Sequence, residues 1–410
     1  MPADFSLMQP KLRDLRIHPI THNGQRGFLL EDPLHLGEGM IFIPQALAPV
    51  LALMDGTRTL RGIQAGFQLR TGLYVSLDIL ERLVADLDAA LMLDNEHYAQ
   101  VRDAALREYR EAPYRPPSHA GAVYPEDPDA FTRALDDYVR RVEHLPPPLD
   151  HPVRGIVSPH IDYQRGGVIY AGIWTYAADH VRAAQRVVIL GTDHNGDFGT
   201  LTLTRQNYAT PLGVLPTDQD VVTALVDVIG EENAFREELH HRNEHSIELA
   251  LAWVHYIRQG DPVDVVPILM GSFAHFVQGM AAPEEDETLN KVTAVLQQVA
   301  EEKPTLFVAA GDLAHVGPAF GDPYPWGPVE KARLRAADQE IMDAITRGDS
   351  RDFFRTIASV EDRYRICGLP PIYLLLRVLE GATGVITGYD QCPADEQNGS
   401  VVSVCGAAIG

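Results

Sequence analysis

At 410 residues, with 45% hydrophobic and 22% charged residues, the chain has the composition of an ordinary globular protein and room for two or three domains. Acidic residues outnumber basic ones 57 to 34, a net charge of −23, which excludes nucleic acid and membranes as expected partners because both favour a basic surface. No apolar run approaches the roughly 20 residues needed to span a bilayer, and MPADFSLMQPKLRDLRI at the start lacks a signal-peptide core, so the expected location is cytoplasmic.

Residues 1–97 read as a small separate module. GFLLEDP (27–33) and GMIFIP (39–44) have the composition of short strands, and helical patterns follow at 46–54, 60–69 and 77–93. Thr57 is the expected N-cap of the second helix, and Asp55-Gly56 a turn before it. The third has apolar residues at three-to-four spacing, the mark of an amphipathic helix. A charged, helix-prone stretch and then APYRPPS (112–118) make 98–118 a linker, since Pro116 and Pro117 cannot continue a helix.

A larger unit begins at His119. Asp127 and Pro128 predict a helix start, and LPPPLDHP (145–152) a turn. Strands at 154–158, 186–190, 263–269 and 305–310 then alternate with helices at 166–179, 218–229, 240–258, 286–302, 328–347, 350–358 and 372–380. The first of these helices is read as opened by Gly166 and the third as one long amphipathic element. Residues 201–216 suggest a hairpin or excursion at a sheet edge, and 383–390 and 400–410 are strand-like. Alternation of this kind predicts one α/β domain over 119–410, a central sheet flanked by helices.

Three of the apolar strands run into a polar tail with a histidine: SPHIDY (His160), GTDHNG (His194) and GDLAHVG (His315). If the strands share polarity in one sheet, these tails meet at one edge, and three imidazoles with Asp162, Asp193 and Asp312 would make a metal or acid–base site. Asn243, Glu244, His245 and Glu248 crowd the start of the long helix. Glu244 and Glu248 share a helical face; they either join the site or complement the helix dipole. His240 and His241 read as surface or capping residues. Cys367 precedes a helix start, where dipole and free N–H groups bias a thiol toward thiolate, a form suited to metal ligation or redox chemistry. Cys392 and Cys405 read as core, and three cysteines without a CxxC pair form no disulfide framework.

Eight blocks in order, HAGAVYP (119–125), PHIDY (159–163), ILGTDH (189–194), TPLGVLPTD (210–218), EHSIE (244–248), VPILMG (266–271), AAGDLAHVG (309–317) and ICGLPPI (366–372), resemble the Memo family, whose prokaryotic members are called AmmeMemoRadiSam system protein B. The resemblance implies a fold similar to the class III extradiol dioxygenases. It implies a metal pocket of His160, His194 and Cys367 with His315 as fourth ligand or acid–base, holding copper or iron, whose ligand preferences suit imidazole and thiolate. Asp312, Glu244 and His245 would support it from behind, and radical-SAM and AMMECR1-like proteins would be partners. PHIDY stands where the family commonly has PHAGY, and GTDHNG where it has a GPSHH-like segment, so Asp162 and Asp193 are added acids with an expected orienting or catalytic role. LMDGTRTL (53–60) is similar to the winged-helix-like modules of the PqqD type, which makes the N-terminal part an α+β docking module. The reading that follows is a metal-binding redox protein or oxidoreductase. Its rivals are an adaptor that keeps the pocket for a peptide or small ligand, and a metal-dependent hydrolase relying on Asp162, Asp193 and Asp312.

Overall fold

The computed structural model describes residues 8–37 and 39–410. The first seven residues, part of the segment read as lacking a signal-peptide core, lie outside the described residues. The chain divides into two compact units between residues 111 and 112, so the segment 98–118 is shared between a helix of the first unit, Glu96–Glu111, and the opening of the second.

The first unit holds three antiparallel strands, β1 (Arg16–His22), β2 (Gln25–Glu31) and β3 (Ile41–Pro44), in the order β1-β2-β3. Two strands were expected. β1 is exposed along most of its length and carries no apolar alternation; its signal is the Asn23-Gly24 turn, both residues at positive φ (49° and 77°), as a tight hairpin requires. Thr59, not Thr57, caps the helix Leu60–Thr71, because the Thr57 hydroxyl is taken by Asp55 at 2.6 Å. The helix expected over 46–54 is a single turn, Ala48–Leu51. Leu30, Ile43, Val50, Ile63, Leu80 and Val84 form the core of this unit.

In the second unit the strands are β4 (Gly155–Ser158), β5 (Arg186–Thr192), β6 (Leu201–Leu203), β7 (Tyr208–Thr210), β8 (Gly213–Leu215), β9 (Asp264–Met270), β10 (Thr305–Ala310), β11 (His315–Val316), β12 (Gly384–Pro393) and β13 (Val401–Ile409). The main sheet runs β11-β13-β4-β10-β5-β9-β6, with β12 on β13, while β7 and β8 form the hairpin expected within 201–216. β4, β10, β5 and β9 are mutually parallel, and the flanking strands are antiparallel. Their apolar runs are buried on both faces, as continuous runs in a covered parallel sheet should be. Val157, Val188, Leu190 and Ala309 face one helical layer, and Ile156, Val187, Ile189 and Val308 the other. No helix among the described residues is long and apolar enough to cross a membrane.

Two helices differ from expectation. Asp162 opens the helix Tyr163–Tyr176 by accepting from Arg165 N, so it begins three residues before Gly166. The 240–258 segment is two helices, His240–Asn243 and His245–Ile257, broken at Glu244, and the second is buried on nearly every side.

The opening of the unit is fastened to that second helix by Arg115 and Glu248, whose side chains are 0% and 1% exposed. Arg115 donates to Glu248, to the His241 carbonyl at 2.6 Å and to the Glu244 carbonyl at 2.9 Å. Glu248 also accepts from the backbone N–H groups of Ser118 and His119 and from the Tyr124 hydroxyl. Burial alone would raise the Glu248 pKa; Arg115 and its other partners hold it well below the usual carboxylate range.

Arg115→Met should therefore destabilise by about 3–5 kcal/mol, the cost of stranding a buried charge, and adding Glu248→Gln should restore part of that loss; thermal or urea unfolding measures both. Asp338, fully buried and hydrogen-bonded by the Tyr389 hydroxyl at 2.7 Å, has its pKa pushed up by burial to about 6. The native state then binds a proton that the unfolded chain has released. Stability should fall as pH rises from about 4 to 6 by an amount on the order of 1–3 kcal/mol. Asp338→Asn should reduce that slope, leaving the contribution of Asp312, which burial raises in the same way.

Candidate metal centre

β10 lies between β4 and β5, and register places Ser158, Ala310 and Gly191 in one row. The tails that leave this row therefore emerge together at the carboxyl edge of the sheet, where open α/β sheets keep their ligands. His160 is buried there, and its Nδ1 faces the Ala310 carbonyl at 3.1 Å. A carbonyl only accepts, so Nδ1 carries the hydrogen and Nε2 is left as a donor to a metal. Nε2 lies 3.1 Å from the Cys367 sulfur. Asp312, from the next tail, accepts from the His160 backbone N–H at 2.8 Å.

Cys367 reaches this edge because two glycines let its loop lie against the end of β10. A Cβ on Gly311 would come within 2.5 Å of the Gly368 Cα, and one on Gly368 within 2.7 Å of the Asp312 carbonyl. Gly368 N donates to that carbonyl at 2.9 Å, and the Thr192 hydroxyl donates to the Cys367 carbonyl at 2.9 Å. His194, at the end of β5, completes the group. Its ring centroid is 4.9 Å from that of His160, and one ligand atom each from His160, His194 and Cys367 lie within 4.8 Å of one another. Bonds of about 2.0–2.3 Å in tetrahedral geometry separate donors by roughly 3.3–3.8 Å, so the set fits a bound ion after a small inward adjustment.

The carboxylate that orients His194 is Glu244. It faces His194 Nδ1 at 3.0 Å and His245 Nδ1 at 3.0 Å, and accepts from the backbone N–H groups of His245 and Ser246 as cap of their helix. His245 stacks on His194 with centroids 4.8 Å apart and stands edge-on to His160 at 5.1 Å. The helix approaches this closely because residue 191 is glycine: a Cβ there would meet Ile247 at 2.6 Å and Ser246 at 2.7 Å.

The charges follow from this packing. Burial would raise the Glu244 pKa, but His194 and His245 overcome it and hold the carboxylate ionised. His194 is the exposed member of the group; its partial desolvation opposes a charge, yet Glu244 and Cys367 raise its pKa well above the ordinary value. His160 is kept neutral, by burial first and then by the neighbouring His194. His245 is lowered by burial, with Glu244 opposing. Burial also pushes the Cys367 thiol up, with His194 pulling the other way; desolvation outweighs the expected helix-terminus bias toward thiolate.

The remaining candidates do not join this donor group. His315 sits on β11, its Nδ1 against the Leu313 and Arg365 carbonyls and its ring edge-on to Phe320. It is close enough for His194 to add to burial in lowering its pKa to about 4, but it belongs to none of the metal-donor groups among the described residues. Asp162 is spent on its helix cap and an ion pair with Arg165. Asp193 turns away from the His194 ring to His240 Nδ1 at 2.8 Å and Asn195 N at 3.0 Å. Asp312 is buried and supports the His160 backbone, and burial pushes its pKa up to about 7. His240 and His241 are not surface residues: His241 is fully buried between the Tyr208 hydroxyl and the Thr202 carbonyl. His119 was not anticipated. Its Nδ1 lies 3.2 Å from Glu248 and its ring 5.7 Å from that of His245; its position at the head of HAGAVYP is the only sequence signal for it.

Comparison with known proteins agrees with this assembly. The family model described as Memo-like protein matches residues 115–408. A MEMO1 family protein of Aquifex aeolicus is 26% identical over 396 residues, covering 95% of this chain and 98% of its own length, an alignment too long to exclude the N-terminal unit. Others are similar from Methanopyrus kandleri (29% over 268 residues; 63% of this chain, 83% of the relative) and Thermus thermophilus (27% over 339 residues; 82% and 94%), the latter match longer than the second unit alone. With the family model spanning that unit almost end to end, the chain belongs to the Memo family.

Proposed function

We propose that the chain is a metal-binding redox protein, an oxidoreductase of dioxygenase-like fold, whose centre is His160, His194 and Cys367. The observation that carries this is the convergence of two imidazoles and a thiol, with both imidazole Nδ1 atoms already engaged by the Ala310 carbonyl and Glu244. A bound copper or iron would supply redox chemistry, and this donor set suits either by ligand softness. The protein's own part is to fix the donors: Asp312 and Ala310 hold His160, Glu244 holds His194, and the Gly311–Gly368 contact seats Cys367. His315, with Nδ1 committed to carbonyls, is the residue we assign to proton transfer beside the centre. By the family resemblance, a radical-SAM protein and an AMMECR1-like protein are the proposed partners.

The hydrolytic reading loses support because Asp162 and Asp193 are engaged with Arg165 and His240. Metal analysis of the purified protein decides the main reading. Wild type should carry copper or iron, and the His160→Ala/His194→Ala double variant should lose it; equally low contents in both would sink the proposal. Cys367→Ser should abolish any sulfur-to-copper charge-transfer band, whereas an adaptor would keep its ligand affinity without the thiol. Glu244→Gln should weaken metal affinity by roughly 10–100-fold, the usual effect of removing a carboxylate behind a ligand histidine, as read by competition with a chelator.

A further inference from the structure

A second constellation lies next to the His315 strand. Residues 321–327, GDPYPWG, join it to the helix Pro328–Thr346. The Asp322 carboxylate holds the loop from within, accepting from Gly317 N at 2.7 Å, from Trp326 Nε1 at 2.9 Å and from the Arg365 guanidinium. Trp326 N donates to the Gly399 carbonyl at 2.8 Å, and Pro323 and Pro325 restrict the backbone further. This well-anchored loop leaves Tyr324 76% exposed. With Trp326 it borders a cleft of about 490 Å³ that Arg333, Arg363 and Tyr364 also line, within the size range of small-molecule sites.

The charges in the cleft are unbalanced in an informative way. Asp322 is matched by Arg365, and Glu330 is engaged with Gly327 N at the helix start. Arg333 and Arg363 make no ion pair with a carboxylate among the described residues, in a chain of net charge −23. The Arg363 guanidinium lies 4.7 Å from the Tyr364 ring centre, and Trp326 stands edge-on to Tyr364 at 6.3 Å. The segment that presents Arg363 is strained: Glu361, Asp362 and Arg365 all have positive φ (55°, 44° and 55°). Non-glycine residues hold this conformation only where surrounding contacts impose it, and such positions concentrate at ligand sites. Two residues further on, the same segment delivers Cys367.

We infer that this cleft binds a small planar aromatic anion, its ring against Tyr324 and Trp326 and its phosphate or carboxylate on Arg333 and Arg363. Aromatic faces accept a planar ring with little regard to its identity. Guanidinium groups select an oxyanion by its paired oxygens. The site does not depend on metal at the His160 centre.

Calorimetric titration of the full chain with 5′-AMP, adenosine and inorganic phosphate tests the inference. Fluorescence locates the binding, because Trp174 and Trp253 are fully buried and only Trp326 borders the cleft. 5′-AMP should bind at least about ten-fold more tightly than either fragment and alter the tryptophan emission. Arg333→Glu, on an exposed helix surface, should weaken that binding by at least about ten-fold, and Trp326→Phe should abolish the emission response. 5′-AMP affinity no greater than that of adenosine or phosphate, or unchanged in Arg333→Glu, or an emission response surviving in Trp326→Phe, would overturn the proposal.

Discussion

The Glu244 carboxylate is the interaction on which the second unit's site depends. Its side chain is 3% exposed, and an ionised carboxylate so placed is tolerated only when charge and hydrogen bonds surround it. Two imidazoles and three backbone N–H groups meet that demand. The same contacts end one helix, begin the next and leave His194 and His245 with their Nδ1 atoms held. Local backbone structure and site geometry are thus one constraint. It holds because Gly191 gives the helix room to stand against the end of β5.

Four residues along the same helix, Glu248 performs a parallel task for the chain entering the unit. Arg115, Ser118, His119 and Tyr124 all converge on it. One helical face therefore carries two buried acids with different duties, one toward the metal-donor group and one toward the opening segment. The sequence leaves open whether these acids serve a site or only the helix dipole. Spacing shows that they share a face, but not which basic groups the fold brings to it.

Much of the architecture was legible because it rests on local pattern. Val187–Leu190 and Leu306–Ala310 are apolar without interruption, and such strands belong inside a sheet covered on both faces. β1 was not legible, since an exposed strand has no burial pattern to betray it and only Asn23-Gly24 marks the hairpin. The break at Glu244 was missed for a related reason. The apolar residues continue past it, and the cap forms only once His194 and His245 are at hand to hold the carboxylate.

The placing of His160 and His194 at the ends of buried strands was determined by the sequence alone, because chain order and hydrophobic pattern suffice for it, whereas their grouping with Cys367 came from the family resemblance. The directions of the acids were decided by the tertiary structure. Asp162 and Asp193, each within two residues of a ligand candidate, turn to Arg165 and His240, while Glu244, distant in sequence, takes the place beside His194. Sequence proximity fixes only where a backbone passes. Which side chain faces an imidazole depends on the competing partners that packing supplies, and those come from β5, β10 and two helices far apart in the chain.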